Sequence, residues 1–322
     1  MVLMHGRHEG TREVSTPSNE AEVSYLESLY QKDSFTKRKL GDRGLGILYF
    51  ESKEPTTEVP LILIPGFSAP SAVYYALAAK MADTGTNTAI YRPRRKQPLP
   101  AVLSPRHMRS VLDLQMETVK DVMETIRDDT DATDFALMGH SMGNAIGTGV
   151  AYHLTLEHPH KDLNVTTLVS DAGAGLDTPD TTTPWQSIKR HAERLPNVIR
   201  HELTQAQRMR EVAPKNMERE AIAHIRDLGR LAREGFQVMV YPEVIPKLER
   251  LQADSDVHVG ALLPEYDQFF YPDDVQARSG HLLDIATVIP GAYHVHANTY
   301  PDEHSQYLTT MIDDLRHFDE AA

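Results

Sequence analysis

Ser141 carries the hydroxyl whose neighbours most clearly suit it to chemistry, because it lies in Gly139-His140-Ser141-Met142-Gly143, a Gly-x-Ser-x-Gly run. The apolar stretch Phe135-Ala136-Leu137-Met138 precedes this run, and the small-residue stretch Asn144-Ala145-Ile146-Gly147 follows it. That order predicts a strand, a tight turn and a helix. In such a nucleophile elbow the turn is strained and the helix packs close to the strand, so small residues are needed on both sides of the serine. The helix N-terminus behind the serine favours negative charge at the place where an oxyanion would form. A serine hydroxyl alone is a weak nucleophile at neutral pH. It needs a base within hydrogen-bond reach, and the base needs an acid to hold its tautomer and stabilise its charged form.

The elements that must assemble these groups show as strands alternating with helices. Residues 59–64 form a short continuous apolar run, the pattern of a strand buried on both faces of a parallel sheet. Further strands are expected at 44–50, 88–91, 135–138, 165–169, 257–263 and 286–289. Helices are expected at 70–83, 104–127, 273–283 and 302–315, and 21–40 also suits a helix. Ser104-Pro105 reads as an N-cap with a proline in the first helical turn. The alternation argues for an α/β fold with a mainly parallel, helix-covered sheet. In that architecture the partners of a nucleophile sit on loops at the C-terminal ends of later strands. Asp267 lies just beyond Leu262-Leu263, and His294 just beyond Val288-Ile289, which gives the order Ser, Asp, His. His296 is a rival base two residues on. Asp273 and Asp274 read as the start of a helix, where acidic side chains suit the dipole.

On these residues the chain resembles the α/β-hydrolase family, from about Leu45 to about Leu315. The resemblance implies a mainly parallel central sheet covered by helices, with a helical cap inserted after the sixth strand. It also implies Ser141 as nucleophile, Asp267 as acid and His294 as base. Asp171 is the competing acid, since some lipases of this fold place theirs one strand earlier. Two backbone amides would form the oxyanion hole: Met142, after the serine, and Phe67, in the Pro65-Gly66-Phe67 turn. Each such donor typically contributes about 3–4 kcal/mol to the transition state. Some positions depart from the family pattern. Pro65-Gly66 stands where His-Gly is common, and Tyr293 precedes the histidine where glycine is frequent. Pro264 opens the acid's loop in place of glycine, and Arg92-Pro93-Arg94-Arg95-Lys96 replaces a common Arg-Gly-x-Gly-x-Ser. None of these removes a catalytic group.

The reaction implied is hydrolysis of a small-molecule carboxylic ester or thioester through an acyl-enzyme, with no cofactor and no metal. Family members that cleave C–C bonds or amides, and cofactor-free haloperoxidases, share the triad. A non-catalytic ligand-binding member of the fold is the alternative of a different class. Haloalkane dehalogenases and epoxide hydrolases of this fold carry aspartate where Ser141 stands. His140 reads as a packing residue of the elbow and, with Arg94 and Arg95 at the rim, as a candidate substrate contact.

Composition bounds the partners. The chain has 322 residues and a net charge of −13, and repulsion from phosphates argues against nucleic acid. The absence of cysteine excludes disulfides, thiolate catalysis and cysteine-ligated metals within the chain. Neither an 18-residue apolar stretch nor a signal peptide's apolar core is present, so the expectation is a cytoplasmic protein without a membrane span. Residues 1–40 read as a polar N-terminal extension, 41–175 with 236–322 as the core, and 176–235 as the helical cap. From Trp185 to Gly235 there are 11 Lys/Arg and 7 Asp/Glu, a local charge of +4 that suits a solvated helical surface, a basic lid or a subunit contact.

Overall fold

The computed structural model describes residues 34–41, 46–66, 71–91, 105–177, 186, 189, 193–194 and 243–318. Among them, one sheet contains β1 (Phe35–Leu40), β2 (Ile47–Ser52), β3 (Leu61–Ile64), β4 (Thr88–Ile90), β5 (Asp134–His140), β6 (Asn164–Asp171), β7 (His258–Pro264) and β8 (Ile285–Ile289). The spatial order is β1-β2-β4-β3-β5-β6-β7-β8. β1 and β2 are antiparallel to their neighbours, and every pairing from β4 to β8 is parallel. The helices are α1 (Tyr75–Asp83), α2 (Pro105–Thr130), α3 (Met142–Tyr152), α4 (Val244–Asp254), α5 (Pro272–Ser279), the short α6 (His296–Thr299) and α7 (Pro301–Arg316).

β3 shows why the fold has three layers. Successive strand side chains point to opposite faces. Ile62 and Ile64 pack with Val119 and Val122 of α2, Ile146 of α3 and Leu248 of α4. Leu61 and Leu63 pack with Leu77 and Met81 of α1 and with Leu308 and Met311 of α7. Helices cover both faces, so the strand is a continuous apolar run and all four of its residues are buried. Each of these side chains contributes about 1.5–3 kcal/mol by leaving water.

The order of elements differs from expectation in three places. Residues 35–40 form an edge strand rather than the end of a helix over 21–40, and Lys37 and Lys39 project from it into solvent. Charged side chains are how edge strands avoid pairing with other chains, and here they also mask the strand pattern. The unforeseen α4 buries Val244, Ile245, Leu248 and Leu251, and its Pro246 falls in the first turn, where proline is tolerated. The helix expected over 273–283 stops at Ser279 and continues only as a 3₁₀ turn over Gly280–Leu282. Most of the expected cap and most of the N-terminal extension lie outside the described residues.

The C-terminal ends of β3, β5, β6, β7 and β8 share one edge of the sheet. Gly66, Ser141, Asp171, Asp267 and His294 all follow or close these strands.

Candidate active site

Ser141 has φ +53° and ψ −119°, a conformation that residues with a Cβ avoid. Neighbouring backbone holds it there. The Ser141 N–H donates to the Asp171 carbonyl at 2.9 Å, while the Ser141 carbonyl accepts from Asn144 N–H at 3.1 Å and Ala174 N–H at 2.9 Å. The flanking glycines are required by close approach. A Cβ on Gly139 would lie 2.5 Å from Asn144 Cα, and one on Gly143 would lie 2.2 Å from the Ile64 carbonyl oxygen. Helix α3 begins at Met142, so the Met142 N–H is among the amides that lack an intrahelical acceptor. Strand, elbow and helix therefore form as the sequence predicts.

Asp267 is buried in the loop after β7, and its Oδ2 lies 3.0 Å from His294 Nδ1. Its other oxygen accepts from Phe269 N–H at 2.7 Å and Phe270 N–H at 3.1 Å. An ionised carboxylate only accepts, so Nδ1 of His294 carries the proton and Nε2 is the basic nitrogen of the neutral ring. The rings of Phe269 and Phe270 flank the imidazole, with centroids 4.7 and 5.7 Å away.

His140 packs inside the elbow, as one of its two readings expected. The side chain is buried, and both ring nitrogens have partners within the protein. Nε2 lies 2.9 Å from the His294 carbonyl, and Nδ1 lies 2.7 Å from the Tyr74 hydroxyl. A carbonyl cannot donate, so Nε2 bears the hydrogen and Tyr74 donates to Nδ1. Burial holds the His140 pKa below its ordinary value, although the nearby Asp171 carboxylate pulls the other way. Tyr74 also accepts the Gly66 N–H at 3.0 Å, and burial pushes its phenol pKa well up. A buried chain of Gly66, Tyr74, His140 and His294 thus ties the turn after β3 to the turn after β8. Tyr74 carries no sequence signal for this role.

The two rivals, Asp171 and His296, both face His304. Asp171 Oδ2 faces His304 Nε2 at 3.4 Å, His304 Nδ1 lies 3.2 Å from His296 Nδ1, and His296 Nε2 lies 3.7 Å from Glu303 Oε2. Burial, the largest single influence, raises the Asp171 pKa, but the imidazoles of His304, His140 and His294 together hold the carboxyl below the usual range. Asp273 and Asp274 occupy the first turn of α5, as expected. Phe67, Arg94 and Arg95 lie outside the described residues.

Comparison with known proteins agrees with this architecture. The model of the Alpha/beta hydrolase family matches residues 61–305. No curated protein matches the chain. Among solved structures, epoxide hydrolase I from potato (Solanum tuberosum) has a TM-score of 0.58 at 15% identity, over 87% of this chain and 99% of that one. A bacterial membrane phospholipase A described as a virulence factor has a TM-score of 0.54 at 18% identity, over 92% and 93% of the two chains. An esterase from Pyrococcus furiosus has a TM-score of 0.53 at 13% identity, over 90% and 93%. At these identities the likeness is one of fold. No helix among the described residues is long and apolar enough to cross a membrane.

Proposed function

Because the chain belongs to the alpha/beta hydrolase family, we propose that it is a serine hydrolase of carboxylic esters or thioesters, with Ser141 as nucleophile, His294 as base and Asp267 as the acid that orients His294. The observation that carries this reading is the 3.0 Å contact of His294 Nδ1 with buried Asp267, on the same sheet edge as a strained serine. His294 Nε2 takes the Ser141 proton as Oγ bonds to the carbonyl carbon. The tetrahedral intermediate collapses as His294 returns that proton to the departing alcohol or thiol. Water then attacks the acyl-enzyme, giving a proton to Nε2, and the bond to Oγ breaks as the serine is reprotonated.

The amides of Phe67 and Met142 are proposed to hold the oxyanion. The Gly66 amide is already committed to Tyr74, which leaves the next residue of that turn for the role. Ser141 cannot form the alkyl ester that an aspartate nucleophile forms on opening an epoxide, which favours acyl transfer. We place substrate choice in the segment 176–235, acting as a helical cap over the site.

The test is turnover of short- and long-chain p-nitrophenyl esters, with fluorophosphonate labelling of the protein. Wild type should label and turn over. Ser141→Ala should not label, and its kcat should fall on the order of 10⁴–10⁶-fold. Absence of both turnover and labelling in wild type would overturn the assignment.

A further inference from the structure

We propose that Arg194 is a positioning residue for the catalytic acid: it fixes the loop that presents Asp267 to His294. This rests on the assignment of Asp267 as the acid. Arg194 belongs to the charged stretch between β6 and α4, yet its side chain is only 9% exposed. Its guanidinium joins three parts of the molecule. Nη1 donates to Asp177 Oδ2, beyond the end of β6, at 3.1 Å, and Nη2 donates to Asp274 Oδ2, in the first turn of α5, at 3.0 Å. Nη1 also donates to the carbonyl of Phe269, in the acid's own loop. The planar group lies over the ring of Tyr271, the residue that precedes α5, at 4.2 Å from the ring centroid.

Phe269 is the point of leverage. Its carbonyl is held by Arg194, its N–H donates to Asp267 Oδ1 at 2.7 Å, and its ring packs 4.7 Å from the imidazole of His294. One residue therefore carries the grip of Arg194 to both members of the acid–base pair. A second tie reinforces the bracket, since Ser279 Oγ at the end of α5 donates to the Leu176 carbonyl. The task requires arginine. A rigid fork reaches acceptors in three directions and stacks on an aromatic face, whereas an ammonium is a single point charge. Asp177 is fully buried, so the guanidinium also balances a carboxylate that has no access to water.

The chemistry gives the role a signature. A well-placed carboxylate stabilises the imidazolium of His294 and raises its basicity. Loosening the loop should therefore lower kcat and move the acidic limb of the kcat/KM profile to lower pH. In Arg194→Lys we expect kcat to fall about 10- to 100-fold, the effect of displacing a catalytic group by about 1 Å. KM should stay nearly unchanged, and the acidic limb should move down. Asp274→Ala removes only the outer, partly exposed partner and should move both quantities in the same direction by less; it serves as the readout if Arg194→Lys does not fold.

A rise in KM with kcat and the acidic limb unchanged, in either variant, would show that Arg194 merely anchors the cap, and would overturn the proposal. The downfield Nδ1–H proton resonance of His294 provides a readout independent of turnover. Broadening or loss of this signal in Arg194→Lys supports the positioning role, and an unaltered signal refutes it. An inactive, unlabelled wild type would instead remove the serine hydrolase reading, while this resonance would still report on the Arg194 grip.

Discussion

Tyr74 couples two turns whose register sets where the oxyanion turn and the triad histidine stand relative to one another. Its hydroxyl takes the Gly66 N–H and gives its own hydrogen to His140, which holds the His294 carbonyl. Tyr74→Phe deprives two buried groups of a partner and should lower unfolding stability by about 1–3 kcal/mol in urea titrations. The same change should reduce kcat about 10-fold with little change in KM, because it shifts the turns and spares the substrate's contacts. A normal kcat in the destabilised variant would show that this register is not limiting. The placement of Ser141, Asp267 and His294 beyond the ends of β5, β7 and β8 was legible because each follows a strand that its own residues announce. The Tyr74–His140 and His140–His294 contacts join positions 66 and 154 apart, between neutral groups that look unremarkable one at a time. Arg194 was concealed similarly, as one basic residue in a charged stretch, with partners that only the folded chain supplies.

At the scale of elements, glycine has opposite meanings in two places. Gly143 lets α3 approach β3, and a Cβ there would meet the Ile64 carbonyl oxygen at 2.2 Å, a backbone atom that cannot swing aside. Gly143→Ala should destabilise the protein by about 1–3 kcal/mol, as overpacking does, and should depress kcat by displacing the turn after β3. Gly280 has φ −56° in ordinary right-handed backbone, and a Cβ there meets nothing within 4 Å. Gly280→Ala should be stabilising by about 0.4–1 kcal/mol, since it restricts only the unfolded chain. Denaturation midpoints of the two variants, measured side by side, test both statements. The central parallel strands were readable as apolar runs because helices cover both their faces. β1 was not, since an edge strand alternates charge with partial burial, and α4 was obscured by a proline in its first turn.

The molecule as a whole combines a net charge of −13 with ionisable groups buried behind the site. Two of them should make stability fall in acid. Burial depresses the His140 pKa, so below the ordinary histidine value of 6.5 the unfolded chain takes up a proton that the folded chain refuses. Stability should then decline as pH falls from 6.5 towards the depressed folded value. Burial opposes the charge of Asp171, but His304, His140 and His294 together leave its pKa net lowered. Its contribution is therefore present above the ordinary value of 3.8 and is lost only as pH falls further, through the folded value. Urea midpoints between about pH 7.5 and about pH 5.5 should fall in wild type and vary less in His140→Phe. Equal slopes would assign the acid sensitivity to other groups.

The pinning of Ser141 has a temporal consequence. Its backbone is held by Asp171 and Ala174, its proposed base stands at 294, and that base is oriented from 267. Contacts this distant in sequence form late, because the loops they close carry a large entropic cost. On a ribosome the serine would emerge long before its base, and it would remain chemically ordinary until β8 docks. Capture of Ser141 by a covalent reagent would then serve as a clock for folding, marking when the last strand joins the sheet.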